Sequence, residues 1–76
     1  MKEIEVQTEN QDKEIINSSI VKINETDDRI KVIVSITKPL DRKRRKQIHD
    51  EITKAIEEGK KVITISDFVK INTIKI

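Results

Sequence analysis

The chain has no cysteine, tryptophan or tyrosine, and only one residue each of glycine, proline, phenylalanine and histidine among its 76. Each shortage excludes something. Without cysteine there is no disulfide and no thiolate metal site, and with one histidine a His/Cys metal cluster is ruled out. One glycine cannot build a glycine-rich phosphate loop. One phenylalanine cannot make the aromatic platform on which single-stranded nucleic acid stacks. No apolar run approaches the length of a membrane span, and the opening "MKEIEVQTENQ" lacks the apolar centre of a signal peptide. The expectation is a cytoplasmic protein without cofactor, metal or membrane contact.

What is present is charge and β-branched aliphatics. Charged residues make up 39 % of the chain, yet the 16 basic and 14 acidic side chains nearly cancel, leaving +2. That low net charge keeps a chain of only 34 % apolar content on the foldable side. Sixteen isoleucines and six valines stand against one leucine, one alanine and one methionine. Such residues suit a pleated, half-buried surface better than a helix. A chain this short buries only ~60 % of its unfolded surface. The core is therefore expected to be thin, mostly sheet, and completed by association between chains.

Along the chain, residues 1–14 are polar. Ile4 and Val6 alternate with Glu3, Glu5 and Gln7, so the segment reads either as a short strand or as an N-terminal arm. The single α+β domain is expected over 15–76. "IINSSIVKIN" and "RIKVIVSIT" flank the turn residues "ETDD" and read as a β-hairpin. Pro39 ends the second strand and can open a helix, and Asp41 stands in or just before its first turn. Ile48, Ile52, Ala55 and Ile56 recur at helical spacing, and Gly59 stands where a C-terminal cap is needed. "KVITIS" and "DFVKINTIKI" read as strands, the latter with a bulge at Asn72–Thr73 or a frayed end, where its apolar phase slips. The expected fold is a small antiparallel sheet in β-β-α-β-β order with one helix packed on one face.

The helix breaks a local rule. Arg42, Lys43, Arg44, Arg45 and Lys46 crowd its start, and Glu57 and Glu58 stand at its end. The helix dipole favours the reverse, at ~0.3–1 kcal/mol for each terminal charge. Further along, Lys46–Asp50, Asp50–Lys54 and Lys54–Glu58 are opposite charges at i,i+4. One reading is an anion site, in which guanidinium groups add bidentate bonds to the N–H groups of the helix start. The other is a solvated face. Arg42 to Lys46, with His49 beside them on the wheel, are the candidate partner- or anion-binding residues.

Little points to catalysis. His49 reads as a partly exposed surface histidine, and no activating base stands near Ser18, Ser19, Ser35 or Ser66 in sequence. The acids Glu25, Asp27 and Asp28 lack the spacing of a calcium loop. The protein is expected not to be an enzyme.

Pro39 and Leu40 before the helix, then Gly59, Lys60, Lys61, Val62 and Ile63 after it, resemble a pattern in small uncharacterised bacteriophage and prophage accessory proteins. The likeness covers about half the chain and rests on structural positions. It departs at Ser66–Asp67–Phe68, where a turn glycine would be expected. The resemblance implies a compact protein that acts by binding in the host cytoplasm, against a host protein or signalling molecule, and carries over no functional residue. Two functions follow. The first is a homo-oligomeric module that binds another protein. The alternative is a module that binds nucleic acid or a nucleotide through Arg42–Lys46, with contacts that weaken steeply in salt.

Overall fold

The computed structural model describes residues 2–23, 30–59 and 69–75. Among them the order is β1 (Lys2–Glu9), β2 (Ile15–Ile23), β3 (Ile30–Ile36), α1 (Arg42–Glu57) and β4 (Val69–Lys75). The four strands form one sheet in the order β2-β1-β3-β4. The α+β class and the single helix agree with the sequence. The element order does not: it is β-β-β-α-β rather than β-β-α-β-β. The strand expected over Lys61–Ser66 and the "ETDD" turn lie outside the described residues.

The sheet is mixed rather than antiparallel. Residues 1–14 supply a strand, and that strand is central. β1 pairs antiparallel with β2 and parallel with β3. The expected β2–β3 hairpin is thus replaced by a β1–β2 hairpin, with β1 lying between the two. Its turn contains no glycine. Asn10 Oδ1 accepts from the N–H groups of Asp12 and Glu14, both at 2.9 Å, and Lys13 takes a positive φ of 63°. An asparagine that bonds the backbone ahead of it does the work usually signalled by glycine. β4 pairs with β3 in unbroken register from Val69 to Lys75, so the bulge expected at Asn72–Thr73 is absent. Ile74 accordingly faces outward, 47 % exposed. The bulge occurs instead between Thr8 and Glu9, where β1 meets the start of β2.

Alternation then sorts the side chains. Ile4, Val6, Val21, Val32, Val34, Ile36 and Val69 face inward and meet Ile48 and Ile52 of the helix, a core that among the described residues is made of isoleucine and valine. Leu40, Ile56 and Ile71 pack at its border. The opposite sheet face mixes charged and polar residues with Ile20, Ile33 and Ile74. It carries Glu5 beside Lys31 and Glu3 opposite Lys22 in register, and Ser35 Oγ donates to Glu9 Oε1.

The helix begins at Asp41, whose Oδ1 accepts from Arg44 N–H at 2.7 Å. Asp41 is therefore the N-cap, and Pro39 precedes the helix rather than opening it. At the other end Gly59, at φ 74°, donates its N–H to the Ile56 carbonyl at 3.0 Å.

Candidate functional site

Two features stand on the side of the helix that faces β2. The first is buried. His49 was expected at the surface and is 2 % exposed. Its Nδ1 lies 2.6 Å from Thr8 Oγ1 and its Nε2 lies 2.7 Å from Ser19 Oγ. In register these hydroxyls sit on the inward face of β1 and β2, in phase with Val6 and Val21. A neutral imidazole donates from one nitrogen and accepts at the other, so one hydroxyl accepts and the other donates. Burial pushes the His49 pKa below its usual 6.5, and Asp50 beside it pulls back only in part. Thr53 Oγ1 donates to the His49 carbonyl at 2.8 Å, closing the turn behind the ring.

Ser19 therefore does have a base within reach, contrary to the sequence reading. The arrangement still differs from an activated nucleophile. The second ring nitrogen meets the neutral Thr8 hydroxyl, where a carboxylate would be needed to steady an imidazolium. Thr8 is 0 % exposed, so no substrate reaches that side of the ring. What the cluster does is pin the helix to the seam between β1 and β2 with fully paired polar groups.

The second feature is open. Arg42, Arg45 and Lys46 line a groove of about 440 Å³ over Ile16 and Asn17 of β2. Arg42, Lys46 and His49 follow at i, i+4 and i+7, one stripe of the helix. The stripe faces β2 because His49, in its middle, is bonded to Ser19 there. Among the described residues the groove is lined by three cations and no acid. Arg45 is half-buried, and its Nε is shielded from solvent without a hydrogen-bond partner among the described residues. Lys43 and Arg44 do not join the groove. Arg44 Nη1 turns along the helix to Gln47 Oε1 at 3.4 Å. The sequence run of five cations thus divides into three that converge and two that do not, and His49, the sixth candidate, belongs to the core.

Among the described residues β2 is also an edge of the sheet. It is nine residues long with one charged side chain, Lys22, and it leaves Ile15 48 % and Ile20 64 % exposed. The sequence reading missed Thr8, Asn17, Ser19 and Ile20. Thr8 and Ser19 had a signal, since each is a polar residue in the inward phase of its strand.

Among the described residues no group of three His, Asp or Glu could hold a metal ion, and no helix is long and apolar enough to cross a membrane. Comparison with protein families, with characterised proteins and with solved structures gives no match to this chain.

Proposed function

We propose that this protein is a small non-enzymatic interaction module that associates with itself and binds another protein by strand addition at β2. The observation that carries the reading is the edge itself. Natural sheet edges are kept short or guarded by lysine, proline, bulges or cover. β2 is long, rich in β-branched residues, has no proline and holds one lysine near its end. A partner strand laid there gains main-chain hydrogen bonds and covers Ile20. The likeness to phage accessory proteins points the same way, to a compact protein acting by binding in the cytoplasm. His49, Thr8 and Ser19 serve this role by holding the edge strand under the helix.

The test is a charge placed on the edge. Ile20→Lys adds the guard that nature uses, at a position too exposed to weaken the core. It should abolish association and binding of extended peptides of alternating aliphatic and polar residues, with the far-ultraviolet spectrum unchanged. Undiminished association would overturn the reading.

The groove favours a second reading, the anion module. Three converging cations and the unpaired Arg45 Nε suit a phosphate group. Arg45→Gln with Lys46→Gln should then weaken binding of a short polyphosphate or oligonucleotide at least tenfold without unfolding the protein.

A further inference from the structure

We infer that the occupant of the β2 edge is a second copy of this chain, related by a two-fold axis beside Ser19, and that its helix supplies the acids which the basic helix start lacks. The inference rests on the strand-addition reading and goes further, since it fixes the partner, the register and the role of the charges.

Three observations converge. The first is a shared centre. Ser19 is the middle residue of β2, Ile15–Ile23, and the middle of α1, Arg42–Glu57, falls between His49 and Asp50. The bond from Ser19 Oγ to His49 Nε2 puts the two middles at one level. One two-fold axis can therefore centre both the strand pair and the helix pair, as an isologous interface demands. Ile15 then meets Ile23 of the second copy, and Ser18 meets Ile20, which covers the two exposed isoleucines of the strand.

The second is spacing. His49 bonds Thr8 on β1 and Ser19 on β2, so the helix rides over the seam between them, about half a strand spacing inside the edge. Antiparallel pairing of the two β2 strands places the two helices about two strand spacings apart, ~10 Å. That falls in the 8–10 Å range at which helices pack. A strip ~30 Å long, one strand and one helix tall, offers ~500 Å² from each copy, which together reach the ~1,000 Å² lower bound of a biological interface.

The third is charge. The helix runs in the direction of β2, because its start lies over Ile16 and Asn17 and its middle over Ser19. The stripe that faces the edge reads Arg42, Lys46, His49, Thr53, Glu57, with exposed Asp50 on its outer side. It is basic in its first half and acidic in its second. A two-fold axis turns the second helix end for end. Arg42 then stands by Glu57 of the other copy, and Lys46 by its Thr53 and Asp50, twice over. The dipoles are antiparallel as well, so each basic helix start gains the negative end of its neighbour. A charge order that is unfavourable in one helix becomes favourable in the pair.

The test uses equilibrium sedimentation and light scattering on the full chain. The wild type should sediment at twice 8.9 kDa. Arg42→Glu or Glu57→Lys should weaken the dimer about tenfold or more, since each reverses two symmetric contacts. Both changes also relieve the dipole conflict within one helix, so the variant monomers should be at least as stable as the wild-type monomer. Lost dimer with undiminished helix stability therefore cannot come from unfolding. The double variant swaps both charges and should return within about threefold of the wild-type constant. A dimer abolished by Ile20→Lys but indifferent to the three charge variants would overturn the helix seam and leave the edge reading standing. So would a strict monomer whose β2 captures extended peptides. A dimer unaffected by Ile20→Lys would overturn both. A monomer that co-purifies with material absorbing at 260 nm, lost in Arg42→Glu, would overturn the inference and assign the cations to phosphate.

Discussion

Thr8→Val removes one hydroxyl and keeps the outline of the side chain, at a position with no exposure to solvent. It leaves His49 Nδ1 buried without its partner at 2.6 Å. A buried polar group stripped of its partner costs ~1–3 kcal/mol. His49→Leu strands the Thr8 hydroxyl for a similar cost, while Ser19, half-buried, can turn to water. If these residues form one network, the costs cannot add. The triple variant Thr8→Val, Ser19→Ala, His49→Leu strands nothing and should be more stable than the sum of the separate changes predicts, by at least ~1 kcal/mol. Against the few kcal/mol available to so small a domain this is a large effect. The assay is urea denaturation at pH 7.5 followed by far-ultraviolet circular dichroism, because the chain has no tryptophan or tyrosine to report fluorescence. Additive costs, or single costs below ~0.5 kcal/mol, would refute the view that the hydroxyls and the ring dock the helix.

Three further outcomes follow from the same geometry. Because burial lowers the His49 pKa, the unfolded chain takes up a proton near pH 6.5 and the folded chain only below that. Stability should be full above pH 6.5 and fall as pH drops from there toward the folded-state value. Urea midpoints across pH 7.5 to 5 should show this slope, and His49→Leu should remove its share of it. Asp41→Ala loses the cap bond to Arg44 N–H and the one acid at the basic helix start, and should cost ~1 kcal/mol by urea midpoint. Gly59→Ala meets nothing within 4 Å but must hold a φ of 74°, so it should cost ~1 kcal/mol through backbone strain alone.

Much of the fold was legible because it is local. The alternation of Ile30, Val32, Val34 and Ile36 marks β3, and the spacing of Ile48, Ile52 and Ile56 marks the helix and its buried face. Asp41 and Gly59 bracket it through capping chemistry that depends on neighbours in sequence. Pairing is not local. Periodicity assigns a face to β1 but says nothing of its neighbours, so a strand whose outward residues are Glu3, Glu5 and Glu9 could equally be a solvated arm. Its insertion between β2 and β3 makes the sheet mixed. The turn at Asn10 escaped because Lys13 adopts a positive φ where glycine or asparagine is usual. His49 was misplaced for the same reason. On the wheel it lies at the rim of the apolar stripe, and only two hydroxyls 41 and 30 residues away make its burial affordable.

The site divides in the same way. The five cations were visible as a run, and the dipole conflict marked them as needing an explanation. Which of them converge was not visible, because the groove takes its other wall from β2. The neighbours of the edge were also hidden, since β2 was expected to pair with β3 in a hairpin, whereas β1 lies between them and leaves β2 outermost among the described strands.

The register of the two-fold strand pair can be read directly, because the chain contains no cysteine. Ser18→Cys and Ile20→Cys place thiols on the exposed face of β2, on residues that oppose each other across the axis. Opposed residues lie ~4.5–5.5 Å apart at Cα, within disulfide reach, whereas each residue is more than ~7 Å from its own symmetry mate. Under mild oxidation a mixture of the two variants should give a mixed disulfide-linked dimer in clear excess over the cross-linking of either alone. Equal cross-linking in all three samples, or none in the mixture, would contradict the pairing of this edge with a second copy.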